Sequence, residues 1–376
     1  MASRPPDAAD DARWMREALA LALRGRGLVE PNPRVGALAL QDGVVVGRGW
    51  HREWGGPHAE IAALAEARSR GAAPDTVVVT LEPCGSEVGE GGKKTGSCAR
   101  ALLEAGVRRV VFGQTDADPR HRGRGPDVLR AAGVELVAGV EAEACAAINA
   151  PFVRWLGLDR PWTIAKWAMS LDGKIATRTG DARWISGEAA RRAVHALRAR
   201  VDAVVVGFRT ALRDDPLLTV RDVPGGNPLR IVVDPDAALP LDRQLVQTAA
   251  KVPTLLVVAE DAEPARCAAL ASLGVEISRV PRRGPHRVDL AVAWRALRQR
   301  GLQRVLAEGG GGLLAALAAD GALDQVVAYV APLLVGGAAA TTPLMGEGVA
   351  SIADALRLSD LGAVQVGDDV ALTAFF

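Results

Sequence analysis

Cysteine, tyrosine and any excess of one charge are scarce in this chain of 376 residues. Its four cysteines, Cys84, Cys98, Cys145 and Cys267, are too few for a disulfide framework at this length, so reduced thiols are expected. Cys145, inside the apolar helical run EAEACAAI, reads as a small buried residue. One tyrosine and 4% aromatics leave few platforms for stacking bases. With 45 basic against 44 acidic residues the formal charge is +1, which gives no overall field to attract nucleic acid or anionic lipid. The arginines 191, 192, 198 and 200 fall at helical spacing; a solvated helix face is the default reading, and a local phosphate site the rarer one. No apolar run reaches the roughly 18–20 residues that span a bilayer, and the opening MASRPPDAAD lacks the parts of a signal peptide. A cytoplasmic protein acting on a small molecule is expected.

Apolar residues make up 49% of the chain and charged residues 24%, ample for two cores, and the length exceeds the about 100–200 residues of an ordinary domain. Residues 10–24 repeat apolar positions at helical spacing. VGALAL and VVVGRGW flank Gln41-Asp42-Gly43 and predict a hairpin closed by an Asp-Gly turn. A helix from His58, a strand DTVVVTL, a helix CARALLEAG, a strand VRRVVFG, a helix near 126–132, a short strand VELV and a helix over 141–157 follow. This is the pattern of a three-layer α/β domain. The boundary is placed at 147/148. Beyond it, helices near 187–200, 264–273 and 288–300 alternate with the strands DAVVVG, LRIVVD, TLLVVA, VEISRV and QRVLAE. Strands near 324–331 and 369–376 complete a mixed sheet, and PRRGPHR (281–287) reads as a surface loop.

His58 opens the helix GGPHAEIAAL, Glu60 follows two residues on, and Cys84 ends the strand-loop LEPC. A catalytic zinc takes three protein ligands and leaves one position for water. Hydrolytic deamination also needs a carboxylate beside the metal that does not bind it, which takes a proton from the attacking water and returns it to the departing amine. His58 and Cys84 fit the first requirement and Glu60 the second. The third ligand does not arrive on the short Cys-x-x-Cys spacing: Cys98 lies 14 positions after Cys84. It directly precedes ARALLEAG, where a helix N-terminus and nearby Lys93 and Lys94 would favour a thiolate. The longer loop is cheap, since closure costs only about 0.6 kcal/mol per doubling of length.

HAE, EPC and a later Cys at a helix start resemble the cytidine deaminase superfamily. Within it, PNPRVG (31–36), GRGWHREWGGPHAE (47–60), VTLEPC, KKTGSC and the Asp of QTDADP with the GRG that follows resemble the pyrimidine deaminase domain of the RibD family of bifunctional riboflavin biosynthesis proteins. The resemblance covers most of residues 10–145. It implies that Asn32 and His51 line the pocket and touch substrate and that Lys94 contacts its phosphate. The bland alternatives are a turn cap for Asn32 and a strand end for His51. The family carries histidines after Pro-Cys, where this chain reads GSEVGEGG.

The later half contains AKWAMSLDGKIA, DARWISG, VVVGFRTALRDDPLLTVR and LAEGGGGLL. A tetraglycine between strand and helix lets a pyrophosphate approach backbone N–H groups, although a flexible turn reads the same way. The order SLDGK, DDPLLTVR, EGGG resembles, along nearly all of 148–376, the reductase domain of the same family, with its dihydrofolate-reductase-like fold. That resemblance implies NADPH near Ala168, Trp184, Thr210, Asp214, Gly310, Gly311 and Gly312. It implies substrate contacts at Lys166, Arg198, Leu218, Arg221 and Glu308, with both arginines suited to gripping a phosphate. Lys166 and Asp172 are the nearest candidates for a proton donor, and Asp172 has an alternative role in a turn.

The expectation is therefore an α/β protein of two domains, 1–147 a zinc-dependent deaminase and 148–376 an NADPH-dependent reductase, catalysing consecutive steps of riboflavin synthesis on one phosphorylated pyrimidine scaffold. A homo-oligomer is implied by the resemblance. The rivals are a reductase carrying a degenerate deaminase, motivated by the altered loop, and a nucleic-acid base deaminase, which the balanced charge disfavours.

Overall fold

The computed structural model describes residues 8–86 and 96–376. It divides into two compact units, 1–157 and 158–376, and no helix among the described residues is long and apolar enough to cross a membrane.

In the first unit, α1 (Ala8–Ala22) precedes the hairpin of β1 (Gly36–Gln41) and β2 (Val44–Trp50). Then follow α2 (Ala59–Ser69), β3 (Thr76–Leu81), α3 (Cys98–Glu104), β4 (Arg109–Gln114), α4 (Arg124–Ala131), β5 (Glu135–Ala138), α5 (Ala142–Ile148) and α6 (Ala150–Leu156). Asp42 and Gly43 carry φ of 50° and 77°, the left-handed pair that a two-residue hairpin turn demands. The sheet order is β2-β1-β3-β4-β5, antiparallel through β3 and parallel thereafter. Because alternate residues of a strand face opposite ways, the continuous apolar run of β1 feeds two cores. Ala37 and Ala39 pack with α2 and α3, while Leu38 and Leu40 pack with Trp14, Met15 and Ala18 of α1. This is the expected three-layer domain. The long helix expected over 141–157 is broken at Asn149, whose side chain accepts from the Arg34 amide at 2.8 Å. Its second half, α6, stays with the first unit.

In the second unit the elements run β6 (Trp162–Ser170), α7 (Glu188–Arg198), β7 (Ala203–Gly207), α8 (Phe208–Asp214), β8 (Leu229–Val233), α9 (Gln244–Gln247), β9 (Thr254–Ala259) and α10 (Pro264–Ser272). The chain continues through β10 (Val275–Val280), β11 (Arg282–Gly284), β12 (Arg287–Val288), α11 (Leu290–Gln299), β13 (Arg304–Glu308), α12 (Gly311–Ala319), β14 (Gln325–Ala331), β15 (Ser359–Val366) and β16 (Asp369–Phe375). The nine-stranded sheet has the order β10-β9-β8-β7-β13-β6-β14-β16-β15. It is parallel from β10 to β14 and closes with antiparallel β16 and β15. Ligands of open α/β sheets bind beyond the carboxyl ends of such parallel strands. The segment 281–287, expected as a loop, instead forms the small antiparallel ribbon β11–β12. Its apolar residue Val288 is buried in the core beside Leu290 and Trp294.

Candidate active sites

The metal set of the first unit is assembled by the packing of α2 and α3. A Cβ at Gly49 would lie 2.1 Å from the Ala59 carbonyl oxygen, so only glycine lets the start of α2 press on β2. His58 caps α2 and its Nδ1 lies 3.2 Å from Cys98 Sγ and 3.6 Å from Cys84 Sγ. The three ligand atoms all fall within 4.8 Å of one another. A tetrahedral zinc with bonds of about 2.0 Å to nitrogen and 2.3 Å to sulfur places such N and S atoms about 3.5 Å apart, which matches. The Cys98 amide donates to Cys84 Sγ at 3.3 Å, and Ser97 caps α3 by accepting from the Arg100 amide. Cys98 thus starts a helix as expected. A coincidence of two thiols and an imidazole facing inward is poor chemistry unless a cation gathers them.

Glu60 is buried in the first turn of α2. Burial pushes its carboxyl above the usual range, opposed by His58 and by a hydrogen bond with Cys98. His51 ends β2, with its ring 5.8 Å from that of His58 and its Nδ1 3.0 Å from the Pro57 carbonyl. Burial lowers its pKa, so it stands as a neutral ring beside the metal set. Asn32 sits on the turn before Val35, whose carbonyl accepts from the His51 amide. Lys93, Lys94 and residues 87–92 of the GSEVGEGG loop lie outside the described residues.

Two supports of this site escaped the sequence reading. Glu30 and Arg34 form a buried ion pair, Nε to Oε1 2.5 Å, on either side of the Pro-Asn-Pro turn. Gly125 of the GRG segment approaches the EPC loop so closely that a Cβ would meet the Pro83 carbonyl oxygen at 1.7 Å. Glu82 accepts from the Gly123 amide at 2.6 Å in the same contact. The spacing i, i+4 of Glu30 and Arg34 was a usable signal; the Gly125 contact, between segments far apart in sequence, had none.

In the second unit the expected residues line one cleft of about 2170 Å³ at the carboxyl ends of β6, β7, β8 and β13. Lys166, Ala168, Trp184, Arg198, Thr210, Asp214, Leu218, Arg221, Glu308 and Gly310 to Gly312 all border it. At its floor, Lys166 of β6 lies opposite Glu308 of β13 in parallel register. Arg198 grips Glu308 with both arms of its guanidinium, at 2.5 and 2.8 Å, and donates to the Thr219 carbonyl at 3.0 Å. Its fork is thus engaged by Glu308, with which it forms a largely buried pair at the cleft floor. Burial lowers the Lys166 pKa, against the attraction of Glu308. Arg221 remains exposed, its guanidinium donating to the Thr219 hydroxyl at 3.1 Å. Leu218 is buried with φ of 53°, an unusual left-handed backbone for an L-residue. Arg230 braces that turn from beneath, donating to the Leu217 carbonyl; burial lowers its pKa to about 10.

His195, unremarked in the sequence, borders the same cleft. Its Nδ1 lies 3.1 Å from the Thr219 carbonyl and 3.2 Å from the Arg221 amide, so it donates to the first or accepts from the second according to its tautomer, and in either case ties one end of the 219–221 turn. Its position three residues before Arg198 on one helix face was the signal. Trp184 is 70% exposed under the guanidinium of Arg191 at 4.8 Å. Asp172 accepts from the Ser170 hydroxyl at 2.6 Å and from the Val335 and Gly336 amides at 3.0 and 2.7 Å. Those bonds hold its pKa at about 2. Asp172 is an anchor of the turn, not a proton donor.

The tetraglycine serves two ends. Gly309 and Gly310 take φ of 71° and 79°, and a Cβ at Gly310 would lie 2.6 Å from Thr210 Oγ1. A Cβ at Gly311 would meet the Thr342 carbonyl oxygen at 2.6 Å whereas one at Gly312 would meet nothing within 4 Å, so the start of α12 is open to the cleft on its Gly312 side.

Residues 161–372 match the RibD C-terminal domain, and residues 8–114 match the cytidine and deoxycytidylate deaminase zinc-binding region. The chain belongs to the RibD family. It is 38% identical to the riboflavin biosynthesis protein RibD of Actinobacillus pleuropneumoniae over 96% of this chain and 94% of that one. It is 39% identical to the RibD of a Synechocystis strain over 97% and 96%. The solved RibD of Acinetobacter baumannii, form 1, superposes with a TM-score of 0.67 at 31% identity, covering 98% of this chain and 99% of that one. A Thermotoga maritima structure described as a diaminohydroxyphosphoribosylaminopyrimidine deaminase/5-amino-6-(5-phosphoribosylamino)uracil reductase gives 0.66 at 28% identity, covering 98% and 99%. The chain is thus a bifunctional deaminase and reductase of riboflavin biosynthesis, with the deaminase-like and dihydrofolate-reductase-like domains expected from sequence.

Proposed function

We propose that the first unit hydrolytically deaminates 2,5-diamino-6-ribosylamino-4(3H)-pyrimidinone 5′-phosphate and that the second reduces the ribosyl group of the product to ribityl with NADPH. The observation that carries the first half is the convergence of His58, Cys84 and Cys98 within 4.8 Å, with Glu60 buried beside them. Zinc held by those three residues would supply an acidified water near the amine-bearing carbon. Glu60 takes a proton from the attacking water and passes it to the departing amine, so that ammonia leaves neutral. Asn32 and His51, on adjoining turns, orient the pyrimidine, and Lys94 is assigned to the phosphate on resemblance alone.

For the second half, the cleft volume of about 2170 Å³ exceeds the roughly 300–1,000 Å³ of a single small-ligand pocket. It has room for a dinucleotide and a phosphorylated substrate together. The open start of α12 and the left-handed Gly309 and Gly310 suit a pyrophosphate, flanked by Thr210 and Asp214, with Ala168 and Trp184 along the nicotinamide half. Bound NADPH would supply the hydride. Lys166 and the Arg198-held Glu308 face the ribosyl hydroxyls, Leu218 packs on the sugar, and exposed Arg221 takes the phosphate. The chain's own work here is alignment and exclusion of water.

Supplying each substrate separately tests the two halves. Wild type should release ammonia from the diaminopyrimidine and consume NADPH with the deaminated intermediate. Glu60→Gln should cut ammonia release about 10²–10⁴-fold, the range for loss of a general base, while zinc content and NADPH consumption stay unchanged. A wild type that binds zinc but releases no ammonia would overturn the deaminase half.

A further inference from the structure

The basic ribbon β11–β12 has no part in either reaction as described, yet it borders the reductase cleft. Two of its side chains are fixed to the body of the unit. Arg282 donates to Asp261 at 2.8 Å and to Asp236 at 2.9 Å, and His286 Nδ1 lies 2.5 Å from the other Asp236 oxygen. These bonds pin the ribbon across the segments that follow β8 and β9, and they neutralise Asp236. The two remaining cations of the ribbon, Arg283 and Arg287, line the cleft together with Asp234 and Asp236 beyond the end of β8. Among the described residues Arg283 has a single, long 3.6 Å pairing, with Asp320, and Arg287 pairs with no carboxylate. In the ribbon's register Arg287 faces Gly284, which offers no side chain to cover it. Both guanidinium groups are exposed and border the same cleft, and the separate Arg-Asp-His clasp that fixes their ribbon makes it a receptor suited to a doubly charged anion.

The anion is identified by what else the cleft would hold. If the dinucleotide pyrophosphate lies at the start of α12 between β13 and β7, the adenosine half extends past β7 and β8, in the sheet order toward β10 and the ribbon that follows it. We infer that Arg283 and Arg287 form the clamp for the adenosine 2′-phosphate of NADPH, and that this ribbon decides the preference for NADPH over NADH. A phosphomonoester carries about −1.5 to −2 charge at neutral pH, and it is the only group by which the two cofactors differ in that region. The inference rests on the proposal that the second unit uses NADPH.

Direct calorimetric binding to the full-length chain separates the two. The ligands are NADPH, NADH, adenosine 2′,5′-bisphosphate and adenosine 5′-monophosphate, measured on wild type and on the double variant Arg283→Ala/Arg287→Ala. Wild type should prefer NADPH to NADH. The double variant should lose at least about tenfold in affinity for NADPH and for the bisphosphate, as expected for removing charge-assisted bonds, while NADH and the monophosphate change less than about twofold. If the variant keeps the wild-type preference, or weakens all four ligands equally, the clamp is overturned and the NADPH reading stands. If wild type binds NADH as tightly as NADPH, both fall. Both arginines are exposed, so their loss leaves the core intact.

Discussion

The two sites are built on opposite plans. The metal site of the first unit is contracted: three ligand atoms within 4.8 Å, contributed by the cap of one helix, the first residue of another and the loop after one strand. The reductase cleft of the second unit is open, about 2170 Å³, and no set of ligand atoms converges in it among the described residues. Its charges are instead matched to each other, with Glu308 gripped by Arg198 and faced by Lys166. A metal demands atoms at bonding distance and fixes their identity; a bound dinucleotide and sugar phosphate demand a shaped floor and tolerate many ways of making it. Loss of a single ligand should therefore be catastrophic in the first unit and graded in the second.

The sharpest break of that comparison is Cys98→Ser. It should reduce zinc from about one per chain to near zero by elemental analysis and abolish ammonia release, while NADPH consumption stays within about twofold. Zinc retained in this variant would remove Cys98 from the ligand set. Next in size is Glu308→Ala, which leaves the buried Arg198 guanidinium without its partner. Breaking a buried pair from one side costs about 3–5 kcal/mol, so the second unit should unfold at markedly lower denaturant while the zinc content is kept. Gly310→Ala is intermediate: a left-handed alanine costs about 1–2 kcal/mol before its contact with Thr210 is counted. NADPH affinity should fall and deamination should be untouched.

The smallest effect tests a pH signature. The Ser170 hydroxyl and the Val335 and Gly336 amides hold Asp172 at about 2, below its ordinary value of about 3.9. Its contribution is fully present above about pH 4 and is lost as pH falls toward 2. The stability difference between wild type and Asp172→Asn, measured by chemical denaturation, should shrink across that window. A difference independent of pH would mean that the carboxylate charge is not what anchors the turn.

The helices and strands with strong period were readable in advance. The β1–β2 hairpin follows from Asp42-Gly43, and the two-core strand β1 from an unbroken apolar run. Less periodic segments were not. β15 is an edge strand whose Leu361 and Val364 are both more than 60% exposed, so no alternation of buried and exposed residues marks it. The ribbon β11–β12 is short and arginine-rich, and it owes its form to Asp236 and Asp261, which lie 21 to 50 residues away along the chain. The break at Asn149 likewise depends on the distant amide of Arg34.

The sequence by itself determined the metal chemistry, because His58, Glu60, Cys84 and Cys98 each sit at a helix start or strand end where local geometry fixes their direction. It also determined the two-unit α/β plan, through hydrophobic period. Only the tertiary structure decided which charges are free. That Arg198 pairs with Glu308, that Asp172 anchors a turn, and that Arg282 and His286 are tied to Asp236 while Arg287 has no carboxylate partner among the described residues all depend on partners brought close by folding. A charge finds the nearest opposite charge in space, and spacing along the chain does not report that distance.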